Sequence, residues 1–185
     1  MKVQIINNSE IKTEIKELDL TTWVHKVCGE LYRSSIEMVP FKHLYFFLGE
    51  KQKQSKTLSS RKWRTNQIGI NKTNAQPQEL DKNLTLAFVS EQYIQKLNKE
   101  FRKKNSVTDI LSFAPVEEDS LGEIALCPSF IYRTKPSGFS KREWLFYLIL
   151  HGMLHLLGFD HENNPDEARK MYHLQDTIFK KCIDG

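Results

Sequence analysis

Apolar residues recur along this chain with two periods, one suited to strands and one to helices. Val3-Gln-Ile-Ile-Asn-Asn8 reads as a short strand, and Thr21 to about Ile36 as a helix with Trp23, Val27, Leu31 and Ile36 near one face. Phe41 to Leu48 is apolar and aromatic enough for either state, and its periodicity does not decide between them. Leu84-Thr-Leu-Ala-Phe-Val89 is a clearer strand, ending at Ser90, whose hydroxyl suits a helix cap. In the helix that follows, Tyr93, Ile94, Leu97 and Phe101 fall at helical spacing and predict a buried stripe, with Arg102 beside it at the helix end.

Ile110 to Val116 and Leu121 to Cys127 read as two more strands, joined by the acidic turn Glu117-Glu-Asp-Ser120. So short a link favours an antiparallel pair, whereas a strand reached through the Tyr93 helix runs more naturally parallel to its neighbour. The sheet should therefore be small, mixed and mostly parallel. Ser140 followed by Glu143 forms a capping box, so a helix is expected from near Lys141 to near Leu157. Apolar residues nearly encircle it, which marks it as the central, buried helix. Asn164-Pro165-Asp-Glu167 supplies a cap, a proline at the first helical position and acids in the first turn, so a final helix should follow and cover this one from behind. The expectation is one α/β (α+β) domain over residues 1–185, its sheet packed against helices.

The central helix carries candidate chemistry in His151-Gly-Met-Leu-His155-Leu-Leu-Gly158-Phe-Asp160-His161. His151 and His155 are one turn apart, about 6 Å along the axis and on one face, so both rings can address one ion. Gly158 suits a left-handed helix stop that returns His161 toward them. Three neutral imidazoles would leave a fourth position open, as in catalytic rather than structural zinc sites. With six histidines in 185 residues, chance would give a histidine partners at both spacings about once in a thousand, so accident is a weak explanation. Core histidines satisfied by carbonyls, or a closed structural zinc, are the alternatives. Asp160 flanks a ligand and either orients a ring or stabilises the turn as an Asx residue.

The ligand spacing copies the long metzincin signature, but those peptidases place a glutamate, their general base, directly after the first histidine. Here that residue is Gly152, and no Met-turn is evident. A glycine accepts no proton, so the metal scaffold is present without the peptidase base.

Together with Leu97-Asn98-Lys-Glu-Phe101-Arg102 and Thr108-Asp109-Ile-Leu111-Ser112-Phe113, the histidine motif resembles the YbeY family of bacterial metal-dependent endoribonucleases, also described as rRNA maturation factors. The resemblance runs over about residues 84–185, with weaker support from the opening strand. It implies a single α/β domain, a zinc ion held by His151, His155 and His161, and action on single-stranded rRNA during small-subunit maturation and ribosome quality control. The partners it implies are the small ribosomal subunit and its proteins. It matches Arg102 to the family's functional arginine and so counts Arg102 with the histidines as catalytic. Without it, Arg102 reads as a helix-terminal arginine favoured by the macrodipole. Glu123 where the family usually has Asp, and Ala114 between Phe113 and Pro115, depart mildly from the pattern.

RNA cleavage needs no glutamate at position 152. Zinc can bring the pKa of bound water to about 7, or polarise a phosphoryl oxygen while the 2′-hydroxyl attacks. Either route develops negative charge at phosphorus, which a guanidinium answers with a planar, permanently charged fork. The Asp109–Phe113 strand would then floor a groove for a single strand, with Thr108, Asp109 and Ser112 as substrate neighbours or, equally, as turn and sheet residues. Imidazole also accepts nickel, copper or iron, so zinc is the preference among divalent transition metals. The alternatives from other classes are a metallopeptidase-like hydrolase and a non-catalytic ribosome assembly factor with a structural zinc.

Composition changes this picture at one place. The net charge of +4 is local: residues 51–72 hold Lys51, Lys53, Lys56, Arg61, Lys62, Arg64 and Lys72 and no acid, while elsewhere 20 basic residues face 23 acidic ones. A stretch so rich in Lys, Gln, Ser, Asn and Thr packs poorly and reads as a basic loop or insertion at about 50–80. It is either a phosphate-contacting arm, with Trp63 stacking on a base, or a solvated insertion, and the family resemblance leaves it outside. Cys28, Cys127 and Cys182 are odd in number and widely spaced, poor material for a disulfide framework and suited to a reducing cytoplasm. The first residues hold no apolar run fit for a secretory signal. Trp144–Leu150, the most apolar stretch, falls far short of the roughly 20 residues a membrane helix needs.

Overall fold

The computed structural model describes residues 2–7, 20–37, 82–116, 119–162 and 164–184. Phe41–Leu48 and the basic stretch 51–72 with Trp63 lie outside the described residues, as do Glu117 and Glu118 of the acidic turn. In chain order the elements are β1 (Lys2–Asn7), α1 (Leu20–Glu37), β2 (Asn83–Phe88), α2 (Glu91–Arg102), β3 (Ile110–Phe113), β4 (Ser120–Leu126), α3 (Pro128–Thr134), α4 (Lys141–Leu156) and α5 (Pro165–Asp184). The strands form one sheet in the order β1-β2-β4-β3. Parallel ladders join β1 to β2 and β2 to β4, and an antiparallel ladder joins β3 to β4, so the sheet is mixed and mostly parallel as expected. Among the described residues no helix is long and apolar enough to cross a membrane.

Alternation along the strands divides the interior into two cores. Leu84, Leu86 and Phe88 of β2, with Ile124 and Leu126 of β4, point into the larger core beneath α1, α4 and α5. Leu111 of β3 and Ala125 of β4 point the other way, where Ile94 of α2 closes a smaller core with Cys127. The sheet thus separates α2 from α4, and β3 forms the edge nearest both. Leu145, Phe146, Leu148, Ile149, Leu150, Gly152, Met153 and Leu154 are all buried, which makes α4 the central helix. Its start is fixed by the expected capping box: the Ser140 hydroxyl accepts from the Glu143 N–H, and the Glu143 carboxylate accepts from the Ser140 N–H.

Three expectations need correction. The buried residues of α2 are Ile94 and Asn98, whereas Tyr93 is 53% and Phe101 59% exposed. A polar residue takes the core-facing slot because the Asn98 amide donates to the Ser106 carbonyl at 2.8 Å and ties down the loop after the helix. Phe101 leans edge-on against Phe113 with ring centroids 5.1 Å apart. Next, β3 stops at Phe113 and does not reach Val116, which is 94% exposed. Pro115 has no N–H to give a ladder. Finally, α3 had no counterpart in the sequence reading. It is seven residues long, opens on Pro128 and buries Ile131, and Arg133 at its end makes a two-pronged pair with Glu91 of α2 at 2.7 and 3.1 Å.

Candidate metal centre

Two of the three histidines stand on a helix that cannot easily move. His151 and His155 occupy the last turns of α4, and at Gly158 the backbone takes φ +88°, the left-handed stop anticipated from the motif. The Gly158 N–H donates to the His155 carbonyl at 2.9 Å and the Phe159 N–H to the Leu154 carbonyl at 3.0 Å, so the chain turns back at once. His161 returns to the other two. The ring centroids of the three imidazoles lie 4.7, 4.9 and 5.0 Å apart, and one ligand atom from each falls within 4.8 Å of the others. His161 rests on Tyr172 of α5, their ring centroids 5.4 Å apart.

Hydrogen bonds decide which nitrogens are available. The Gln175 amide nitrogen donates to the Tyr147 carbonyl at 3.1 Å, which turns its oxygen toward His151. That oxygen only accepts, so the His151 Nδ1–H donates to it, at 3.0 Å. Likewise the His155 Nδ1–H donates to the Phe159 carbonyl at 3.0 Å. Both hydrogens are thereby committed to Nδ1, and the two Nε2 lone pairs meet 3.1 Å apart with no hydrogen between them. Burial pushes the pKa of His155 down to about 4, with the nearby His151 and His161 lowering it further. Burial lowers that of His151 too. Both rings are therefore neutral at pH 7, and their facing lone pairs repel unless a cation lies between them. Two donors at about 2.05 Å from a tetrahedral zinc sit about 3.3 Å apart, so the spacing fits such an ion.

Gln175 was missed in the sequence. It is fully buried in the stripe Met171, Leu174, Ile178, Phe179 and Cys182 of α5, and a lone polar residue among those apolar positions was the available signal. Its bond to His151 gives α5 the covering place behind α4 that the sequence suggested.

One residue on from His151, and about 100° round α4 from it, Gly152 lies against the sheet. A Cβ there would come within 2.9 Å of the Cδ1 atoms of Ile110 and Ile124 and 3.1 Å of the Ser112 hydroxyl. The position that would carry a peptidase base is the helix–sheet contact itself. The Ser112 hydroxyl donates to the Gly152 carbonyl at 3.3 Å, so its place is in that contact. Asp109 caps the start of β3, accepting from the Ile110 N–H at 2.8 Å and from the Thr108 hydroxyl at 3.1 Å, and its charge reaches His151. Asp160 accepts from the Glu162 N–H at 2.8 Å, an Asx turn, while its charge also reaches His155.

Arg102 ends α2 and pairs with Glu162, the residue after the third histidine. That bond, then the charges of Arg102 and Lys104, holds the Glu162 carboxyl below the usual carboxylate range. The sequence reading named Arg102 but not its partner.

Residues 48–183 match the family model described as Endoribonuclease YbeY. The chain belongs to the YbeY endoribonuclease family. Among curated YbeY endoribonucleases, that of Bdellovibrio bacteriovorus is 46% identical over 101 residues, 54% of this chain and 67% of the relative. That of Thermosipho melanesiensis is 41% identical over 103 residues, 55% of this chain and 74% of the relative. A solution structure from Thermotoga maritima aligns with a TM-score of 0.47 at 20% identity over 97% of this chain and 88% of its own, too slight a likeness to argue from. The YbeY match begins well before residue 84, where the resemblance by motif began, and takes in the basic stretch 51–72.

Proposed function

We propose that this chain is a zinc-dependent endoribonuclease that cuts single-stranded rRNA in the cytoplasm, in small-subunit maturation and ribosome quality control, with the small ribosomal subunit and its proteins as partners. One observation carries the reading: the Nε2 lone pairs of His151 and His155 converge 3.1 Å apart while both Nδ1 hydrogens are spent on carbonyl oxygens. Such a pair is built for a cation, and His161 offers the third donor from the Gly158 turn. When bound, zinc supplies a Lewis acid for a phosphoryl oxygen and lowers the pKa of water it holds.

The protein's own groups do the rest. Gln175 and the Phe159 carbonyl fix the tautomer and tilt of two ligands. Arg102 places its fork near the histidine turn, where it can neutralise charge developing on the phosphate whether water or the 2′-hydroxyl attacks. Edge strand β3, between α2 and α4, floors the groove for an unpaired strand, and Thr108 and Asp109 at its start are the nearest candidates for ribose or phosphate contacts. The peptidase alternative has lost its base to a packing contact at Gly152.

Purified protein should cut a single-stranded RNA oligonucleotide and spare the same sequence in a duplex. His155→Ala should lower that rate at least about a thousandfold and abolish stoichiometric zinc. Chelation should stop cleavage without melting the domain. Melting on chelation of a protein with no prior activity would favour a structural zinc in an assembly factor instead.

A further inference from the structure

Arg102 and Glu162 approach each other from opposite sides of the sheet. Arg102 belongs to α2, over the smaller core, and Glu162 to the turn that leaves α4 on the other side, so their ion pair spans edge strand β3 beside the histidines. Neither end of the pair is accidental in position. The Glu162 N–H is held by Asp160 and its neighbour His161 is a ligand candidate. Beyond Arg102 the helix ends through Lys103, whose φ of +59° is the left-handed conformation that glycine adopts at no cost, and the Lys104 N–H returns to the Asn98 carbonyl at 3.2 Å. The Lys103 Nζ donates to the Glu100 carbonyl at 2.8 Å, so this side chain closes the end of its own helix. Arg102 and Lys104 are both exposed, and the charge of Lys104 as well as that of Arg102 reaches the Glu162 carboxylate.

The Arg102 side chain is 40% and that of Glu162 51% exposed, and an ion pair so open to water adds little net stability. It is easily exchanged for another anion. Carboxylate and phosphodiester present the same thing to a guanidinium, two oxygens in a plane for a forked donor. We propose that Glu162 is an electrostatic gate: in the RNA-free protein its carboxylate occupies the place on Arg102 that a backbone phosphate takes when the strand binds. A single phosphate gains little by displacing it. A strand whose next phosphate also reaches Lys104 gains more, so the gate favours a polymer over free nucleotides. Glu162 is then a positioning and specificity residue that acts through Arg102. The inference rests on the endoribonuclease reading.

The test is Glu162→Gln, with Glu162→Ala as a second variant, in the zinc-loaded full chain. Binding of a fluorescent single-stranded RNA oligonucleotide is followed by anisotropy across a salt series, with a nucleoside monophosphate as competitor, alongside KM and kcat for cleavage. Both variants should bind the oligonucleotide about three- to fivefold more tightly. The slope of log affinity against log salt should steepen by about 0.7, one more uncancelled cation on a single strand. The gain should lie in KM rather than kcat, and the monophosphate should compete better than it does in the parent. Unchanged or weaker affinity, or a fall confined to kcat, overturns the gate. If the parent still cuts RNA in a His155-dependent way, the nuclease reading survives that failure, whereas a parent that binds no RNA removes both.

Discussion

On one side of α4, Gly152 lies so close to Ile110 and Ile124 that a single added carbon would crowd both, and that side is closed to any ligand. On the adjoining face, His151 and His155 are only partly buried and turn two lone pairs toward one point. One helix is thus a structural wedge where it meets the sheet and a donor array on the face next to it. Where metzincins draw a ligand and a base from the same two adjacent positions, this chain gives the second position to packing. The lesson is that the missing glutamate is not a gap in an active site. It is the contact that holds the site rigid, and whatever proton transfer the reaction needs has to come from elsewhere.

Substitutions can break either side selectively, and the largest effect is expected on the sheet side. Gly152→Glu should not restore a base. It would drive a carboxylate between α4 and β3, and the domain should lose about 3–5 kcal/mol or fail to fold, as read by chemical denaturation. Gly152→Ala should cost about 1–3 kcal/mol by the same route.

On the donor side, Gln175→Leu removes the acceptor that holds the His151 Nδ1–H and strands that donor. Zinc affinity measured by competition with a chelator should fall about 10- to 100-fold, while Gln175→Glu, which keeps an acceptor, should retain most of it. Gly158→Val should act on the third ligand alone, since a β-branched residue is strained at φ +88°. Zinc affinity should drop about tenfold with most of the fold intact, and unchanged affinity would count against the turn as the device that delivers His161. Smallest is Ser112→Ala. Loss of its 3.3 Å bond to the Gly152 carbonyl should cost about 0.5–1.5 kcal/mol in stability and leave zinc affinity alone.

What could be read in the sequence was whatever one element settles by itself. The 151/155 spacing, the Gly158 stop and the Ser140–Glu143 capping box are local rules, and each holds in the structure. The mixed sheet followed from link lengths, which is also local information. Partnerships between elements were not legible in that way. Gln175 lies 24 residues from the ring it orients, and Glu162 lies 60 residues from Arg102, so neither spacing carries a signal until the chain is folded. The α2 stripe misled because Tyr93, Leu97 and Phe101 form a regular apolar shoulder next to the buried face, while an asparagine serves as the core contact. Periodicity reports that a face exists and not how far it is rotated from the core.

The most direct test of the shared cation is a set of anomalous-difference maps from crystals of the purified protein, recorded on both sides of the zinc absorption edge. The account predicts one peak that vanishes below the edge, about 2.0–2.1 Å from a nitrogen of each of His151, His155 and His161, with a solvent oxygen as its remaining ligand. Imidazoles without a peak between them, or a fourth protein side chain closing the coordination shell, would contradict it.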